Sequence, residues 1–335
     1  MRSMTRLSVL DLVPVVEGGT VAASLANAAI LAAHAERLGY HRYWVAEHHG
    51  MPGIASAATA VVLAHVGQAT STIRIGSGGI MLPNHAPLLI AEQFGTLDAL
   101  FPGRVDLGLG RAPGSDQRVA QAMRRTLTGG PDQFPRDVME LQAYFAGDTR
   151  FGFQATPGAG ADVPIWILGS SLYGAQLAAA LGLPYAFASH FAPAALDEAL
   201  AIYRRDFRPS AQLDRPYVMA AFNIFAADTK EEAALLATSM QQTFIRLRTG
   251  EPGKVPPPVA GYFDSLPPQG QAMLRDVLSA SSIGTQADVE RDLAAFLDRT
   301  GADELVISSQ IHDFDARLRS YAIAMAAARA LDSAV

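Results

Sequence analysis

Five of the eight histidines lie at or beyond the ends of predicted strands, where each is a candidate acid or base. They are His48, His49, His85, His190 and His312. An imidazole titrates near neutrality and can pass a proton during a reaction, whereas a hydrogen-bonded structural histidine is the alternative at any single position. Since neighbouring residues of a strand point to opposite faces, only one of His48 and His49 can point inward. Neither an HExxH helix nor an HxH pair at a strand end is present, so the motifs predict no metal site.

A second group of residues is suited to binding an anion. Arg111 directly follows an apolar run, and Gly169, Ser170 and Ser171 directly precede a helical pattern. A guanidinium offers a fixed fork of donors to phosphate, and the first N–H groups of a helix form an anion site. Helix capping by the serines and a surface ion pair for Arg111 are the alternatives. Because both groups end neighbouring strands, together they favour a phosphorylated ligand.

Residues 76–79 read Gly-Ser-Gly-Gly inside a predicted strand, which is not a GxGxxG dinucleotide fingerprint. Glycine in a strand lets another group approach the backbone closely. A planar cofactor ring against the bare backbone is one interpretation, and a structural bulge is the other.

The elements that must position these residues follow an alternating pattern. Short β-rich apolar runs alternate with longer helical patterns, as expected for βα units on a parallel sheet. Eight predicted strands span residues 7–13, 43–46, 73–80, 105–109, 164–168, 185–188, 217–225 and 304–308. They favour a (β/α)8 TIM barrel, with an open doubly wound sheet as the alternative. In such a barrel the active site lies at the carboxyl ends of the strands.

The chain has 335 residues, which exceeds the roughly 250 of a plain barrel. We therefore expect one domain over residues 1–335 with three insertions, at 112–133 after strand four, 147–163 before strand five and 249–282 after strand seven. The glycines and aromatics of the second insertion suit a small hairpin, and the proline-rich third insertion is the candidate lid.

Composition excludes several function classes. The 26 basic and 32 acidic residues give a net charge of −6, which argues against a nucleic-acid partner. The absence of cysteine excludes disulfides, thiolate metal sites and a cysteine nucleophile. No apolar stretch approaches the roughly 20 residues of a membrane span, and we expect a cytoplasmic protein. The two lysines, Lys230 and Lys254, lie in a helix start and a loop, which disfavours lysine-imine catalysis.

Several ordered motifs resemble the bacterial-luciferase-like, flavin-dependent monooxygenase family. They are WVAEHH at 44–49, IRIGSGGIMLPNHAP at 73–87, FPGRVDLGLGR at 101–111, WILGSS at 166–171 and ASHFAP at 188–193. The resemblance covers nearly the whole chain and fits a shorter subgroup better than the light-emitting subunits. It implies a (β/α)8 barrel that binds FMN, reduced by a separate NAD(P)H:flavin reductase, and that reacts with O2 and a small organic substrate. It also implies a homodimer.

The resemblance carries individual roles to matching positions. Arg111 and Ser171, with Ser170 and Gly169 beside it, match the residues that hold the FMN phosphate. Gly78 and Gly79 match a non-proline cis peptide under the flavin ring. His48 matches the catalytic histidine, and Glu47 beside it is expected to help bind the cofactor. His190 is a candidate catalytic residue at the substrate end, by its position alone.

The sequence also departs from the family pattern. The reactive cysteine of true luciferases is Gly110 here, and a threonine-like phosphate contact is Gly174. These departures argue against light emission and indicate weaker FMN binding. Two further hypotheses stay open at this point: an oxidoreductase that uses the deazaflavin F420 to transfer hydride, and a non-catalytic flavin-binding protein.

Overall fold

The fold is described from a computed structural model, which covers residues 5–111, 119, 122–123 and 133–333. Most of the insertion at 112–133 therefore lies outside the described residues. The strands are β1 Arg6–Asp11, β2 Arg42–Val45, β3 Arg74–Met81, β4 Val105–Gly110, β5 Ile165–Gly169, β6 Tyr185–Phe187, β7 Val218–Ala226, β8 Ser281–Gly284 and β9 Glu304–Ser308. All of the pairings between them are parallel.

Eight strands close into a barrel. Strands β1 to β6 pair in sequence order, β6 pairs with β7, β7 pairs with β9, and β9 returns to β1. The predicted TIM barrel is confirmed, and the alternative of an open sheet is wrong. Among the described strands, the short strand β8 pairs with the second half of β7, from Asn223 to Ala226. It was not predicted and lies partly within the segment interpreted as an irregular insertion.

The helices of the described residues surround this barrel. They are α1 Val21–Leu38, α2 Thr59–Gln68, α3 Pro87–Leu100, α4 Phe134–Phe145, α5 Leu172–Leu181, α6 Leu196–Asp206, α7 Lys230–Arg248, α8 Tyr262–Ser265, α9 Pro268–Val277, α10 Gln286–Thr300 and α11 Phe314–Ser333. Their ends follow ordinary capping signals: Thr20 accepts a hydrogen bond from the third residue of α1, and Gly39 ends that helix at φ 83°. No helix in the part of the chain described here is long and apolar enough to span a bilayer.

Two of the predicted insertions differ from expectation. Segment 147–163 contains a single 3-10 turn, Thr149–Phe151, and no hairpin. Its aromatics pack on α4 instead, since the rings of Phe151 and Phe153 lie 4.7 and 5.9 Å from that of Tyr144. Segment 249–282 contains α8, α9 and the start of β8, because Phe263 and Leu274 provide apolar surface that packs against α7.

Ion pairs fill the amino-terminal end of the barrel interior. The Arg42 guanidinium donates to the Asp106 carboxylate at 2.7 Å and to Glu304 at 3.1 Å, and Arg74 donates to Asp106 at 2.7 Å. Both carboxylates are fully buried. Burial of these charges is tolerable because each carboxylate is paired and hydrogen-bonded.

An aromatic layer covers these ion pairs. The indole rings of Trp44 and Trp166 meet edge to face at 5.1 Å, in a cluster with Leu10, Met219 and Val306. Inward-pointing residues alternate along each strand, so the next inward positions lie at the carboxyl ends of the strands. The packed interior therefore ends just short of the carboxyl ends of the strands.

Candidate functional site

A cavity of about 690 Å³ opens at the carboxyl ends of the strands. This is the size and place expected for a ligand site in such a barrel. Eight of the nine predicted site residues line it: His48, Gly78, Gly79, Arg111, Gly169, Ser170, Ser171 and His190. The ninth, Glu47, does not.

One end of the cavity has the features of a phosphate site. Ser171 is the N-cap of α5, with extended backbone angles, but its side chain makes no capping hydrogen bond. Capping therefore does not explain this serine, and its hydroxyl is available beside the first N–H groups of the helix. The Arg111 guanidinium stacks on the ring of Tyr173, 4.1 Å from the ring centroid, which holds it close to the same helix end.

Tyr185 supports this turn, although the sequence motifs do not predict it as a site residue. Its hydroxyl donates to the Ser171 carbonyl at 3.2 Å. A Cβ atom at Gly174 would lie 3.3 Å from the Tyr185 ring and 3.4 Å from the Cα atom of Gly169. The absence of a side chain at Gly174 thus lets the tyrosine pack closely against this turn. A buried tyrosine on a strand carries no sequence signal for this role.

A bare backbone wall forms another side of the cavity. A Cβ atom at Gly78 would lie 2.7 Å from a methyl carbon of Leu10, and one at Gly79 would lie 2.6 Å from the Gly108 carbonyl oxygen. The register between β3 and β4 shifts between Ser77 and Ile80, and the peptide bond between Gly78 and Gly79 is cis. The two interpretations of these glycines are compatible, because the strand has a bulge and both glycines line the cavity.

Two histidines face the cavity together. Burial, with a smaller contribution from nearby His48, lowers the pKa of His190 from 6.5 to about 4. Its Nδ1 atom is buried and has no hydrogen-bond partner among the described residues. The Asn223 amide donates to the His190 carbonyl at 2.6 Å and so fixes the backbone that carries the ring. His190 is thus a neutral ring at neutral pH with one ring nitrogen available.

Glu47 lies behind the cavity. Burial alone would raise its pKa, but hydrogen bonds from His85, His49 and the Met81 N–H outweigh burial and lower it. Its Oε1 atom lies 2.7 Å from the Nε2 atom of His85 and 2.5 Å from that of His49, and its Oε2 atom accepts the Met81 N–H at 2.9 Å. The cavity lining contains His48 but not His49, in line with the expectation that only one of the pair points inward. This geometry does not support direct contact between Glu47 and a ligand in the cavity.

The remaining walls are mostly apolar. Met240, Phe244 and Leu247 come from α7, and Met51 and Ile54 come from the loop after β2. The polar exceptions are the residues of the phosphate-like end and, in the same lining, the two histidines, Asn223, Thr243, Ser308 and Gln310. A ligand part that fills the rest of this space must be largely apolar.

Only a small part of the candidate lid touches the cavity. Within 249–282, the lining includes Pro252, Gly253 and Val255. This stretch is bound to the loop after β1, since the Val255 N–H donates to the Val15 carbonyl at 2.9 Å and the Val255 carbonyl accepts from Glu17 at 2.8 Å. The expectation that the whole insertion forms the lid is therefore too broad, and α7 supplies more of the wall.

Comparison with known proteins agrees with this architecture. A family model described as luciferase-like monooxygenase matches residues 5–304. The chain belongs to this family. The family resemblance identified in the sequence motifs is thereby confirmed.

Individual proteins match this chain over three quarters or more of their length. A protein of Escherichia coli (strain K12) described as luciferase-like monooxygenase is 53% identical over 319 residues, covering 95% of each chain. The N-acetyl-S-alkylcysteine monooxygenase of Bacillus subtilis (strain 168) is 36% identical over 254 residues, covering 74% of this chain and 75% of that protein. The protein in the crystal structure of apo-MsnO8 shares 36% sequence identity with this chain. The two folds align with a TM-score of 0.87, covering 96% of this chain and 98% of that chain.

Proposed function

We propose that this protein is a monooxygenase that binds reduced FMN and uses O2 to oxygenate a small, uncharged, largely apolar organic substrate. The observation that carries the proposal is the pairing of two features in one cavity. Arg111 and the uncapped start of α5 suit the phosphate, and the bare backbone at Gly78 and Gly79 suits a flat ring. Membership of the luciferase-like monooxygenase family supports the oxygenase chemistry.

The residues that line the cavity fit a bound flavin. When bound, the reduced flavin supplies the electrons that activate O2, and the protein must orient it and exclude water. The Arg111 guanidinium and the Ser171 hydroxyl would hold the phosphate. His48 and His190 would lie toward the reacting side, and His190, which is neutral, would act as a hydrogen-bond partner of the substrate rather than as an acid. The walls from α7 would shield the site and accept the apolar substrate.

The phosphate contact gives the most specific test of this proposal. Arg111→Met removes the charge-assisted hydrogen bonding to the phosphate, and the loss of one such bond, worth about 1.5–3 kcal/mol, should make FMNH2 bind about 10- to 150-fold more weakly. Reduced riboflavin lacks the phosphate and should bind the variant and the wild type equally. Both affinities are measured by anaerobic titration. Equal losses for the two flavins would show that Arg111 does not contact the phosphate.

A matched control separates the site from the general charge of the protein. Arg208→Met makes the same change of charge at an exposed position between α6 and β7, at the opposite end of the barrel. We expect it to leave both flavin affinities unchanged. Loss of FMNH2 binding in this variant would mean that the effect of Arg111 is not local.

The remaining parts of the proposal concern partners. We propose that a transient partner, an NAD(P)H:flavin reductase, is the source of FMNH2. We also propose that residues 1–335 form one domain and that the protein is a cytoplasmic homodimer. Light scattering tests the dimer, since a single species of 35.4 kDa would refute it. Oxygen uptake that depends on both the reductase and a substrate tests catalysis, and its absence with every apolar substrate offered would favour a non-catalytic flavin-binding protein.

A further inference from the structure

Three side chains with metal-binding atoms meet beside the cavity, outside its lining. They are Glu47 in the loop just after β2, His49 two residues later and His85 after the turn that follows β3. One ligand atom from each side chain lies within 4.8 Å of the other two. The group thus joins two segments that are distant in sequence, which is why no histidine motif predicted it.

The carboxylate of this group is oriented by the protein. The Glu47 side chain is 1% exposed, and its Oε2 atom accepts the backbone N–H of Met81 at 2.9 Å. This bond leaves Oε1 facing both imidazoles, with the Nε2 atoms of His49 and His85 2.5 and 2.7 Å away. A hydrogen bond from outside the ligand set that orients a carboxylate is a usual feature of metal sites.

We propose that Glu47, His49 and His85 bind a divalent transition-metal ion of the zinc type. Two imidazole nitrogens and one carboxylate oxygen, with water in a fourth position, are a ligand set that Zn²⁺ and similar ions accept. The two imidazoles are 18% and 26% exposed, which leaves room for a water ligand and a path for the ion.

Binding requires only a small outward movement of the rings. Tetrahedral bonds of about 2.0–2.1 Å place ligand atoms about 3.3 Å apart, somewhat farther than the hydrogen-bond distances in this structure. On metal binding each ring would give up the Nε2 proton that now bonds to Oε1, carry its remaining proton on Nδ1 and present the Nε2 lone pair to the ion, so the ion replaces the two hydrogen bonds to Oε1. The partly exposed rings can shift toward solvent, while Glu47 stays in place.

The proposed metal would tie together the loop that carries His48 and the strand end that follows the glycine wall. The Glu47 N–H also donates to the Gly79 carbonyl at 3.4 Å. The metal would therefore act as a positioning element for the cavity and would not contact the reacting atoms. This role is independent of the identity of the flavin and of the substrate.

Metal binding is tested on untagged, chelator-treated full-length protein. Titration with Co²⁺ should produce visible absorption bands of a low-symmetry site, saturating at one ion per chain, and Zn²⁺ should displace the Co²⁺. His49→Ala and His85→Ala should each weaken Zn²⁺ binding by more than about 100-fold, since even partners outside the ligand set contribute about 10- to 100-fold. Both histidines are partly exposed, so truncation should leave the fold intact, and circular dichroism checks this.

His312→Ala is the matched control. The Nε2 atom of His312 lies 3.2 Å from the Glu17 carbonyl oxygen and takes no part in the group, so this variant should bind Zn²⁺ as the wild type does. Absence of Co²⁺ bands in the wild type, or equal weakening by His312→Ala and His85→Ala, would overturn the proposal and leave a hydrogen-bonded group only. Because neither measurement uses flavin or turnover, its failure is distinct from a failure of the proposed function.

Discussion

The protonation of His190 can be tested through the stability of the protein. The pKa of this ring is about 4 in the folded protein, because it is buried and lies near His48, against 6.5 for an ordinary histidine. As the pH falls, the unfolded chain takes up this proton near pH 6.5, whereas the folded chain resists it until about pH 4. The folded state is therefore destabilised as the pH falls through this window, and the effect is absent well above pH 6.5.

The size of the effect follows from these two pKa values. Between pH 7 and pH 5, proton uptake by the unfolded state lowers the free energy of unfolding by at most about 2 kcal/mol. Water in the cavity would reduce this value, because one edge of the ring faces it. The variant His190→Asn removes the titrating ring and keeps a polar group near the position of Nδ1.

Urea unfolding at pH 7 and pH 5, followed by circular dichroism, measures the effect. The wild type should lose about 1–2 kcal/mol more than His190→Asn between the two pH values, with any loss common to both arising from other groups, such as His34 and His41, whose pKa values burial also lowers. Equal losses in the two proteins would mean that the pKa of His190 in the folded protein is that of an ordinary histidine. The description of His190 as a neutral hydrogen-bond partner would then be wrong.

Three further predictions concern packing and the cofactor turn. Gly79→Ala should destabilise the fold by about 1–3 kcal/mol in urea unfolding, because its Cβ would lie 2.6 Å from a carbonyl oxygen. Gly110→Ala should change stability by less than about 0.5 kcal/mol, because its Cβ would have no neighbour nearer than 3.6 Å among the described residues. Asp106→Ala should cost about 3–5 kcal/mol in urea unfolding, since it removes the buried carboxylate that pairs with both Arg74 and Arg42 and leaves buried Arg42 with Glu304 as its one acidic partner among the described residues. Asp197→Ala breaks an exposed ion pair and should cost no more than about 1 kcal/mol, and similar losses for the two variants would show that the buried pair contributes no more than the exposed one. Tyr185→Phe should weaken FMNH2 binding about 2- to 10-fold and leave reduced riboflavin unaffected, and no change for FMNH2 would show that its hydrogen bond does not support the phosphate turn.

Much of the barrel could be predicted from local signals. Strand β9 has the predicted bounds, residues 304–308. Helices α1 and α10 follow signals in the adjacent sequence, since Gly39 ends the first and the capping box of Thr285 and Asp288 begins the second. Strand β8 was missed because its sequence, Ser-Ser-Ile-Gly, contains one large apolar residue and it forms by pairing with the distant second half of β7. The hairpin predicted at 147–163 failed because its aromatics pack on α4 rather than on each other across two strands.

The sequence predicts which strand ends form the cavity, but it does not predict which side chains hold the residues of the cavity in place. The placement of Arg111, Ser171 and His190 in one cavity follows from barrel geometry, since all three lie just beyond strands. The burial of Glu47 and its partnership with His85 depend on a turn far along the chain, which no motif connects to the loop after β2. Side-chain contacts of this kind arise only once the barrel has closed.

The most direct test of the proposed function is an anaerobic titration of the purified protein with FMNH2 and, separately, with reduced F420. Saturable FMNH2 binding at one flavin per chain, together with oxygen uptake coupled to substrate oxygenation after mixing with O2, is the predicted result. Preferential binding of F420 without oxygen consumption would contradict the proposal and assign the cavity to hydride transfer.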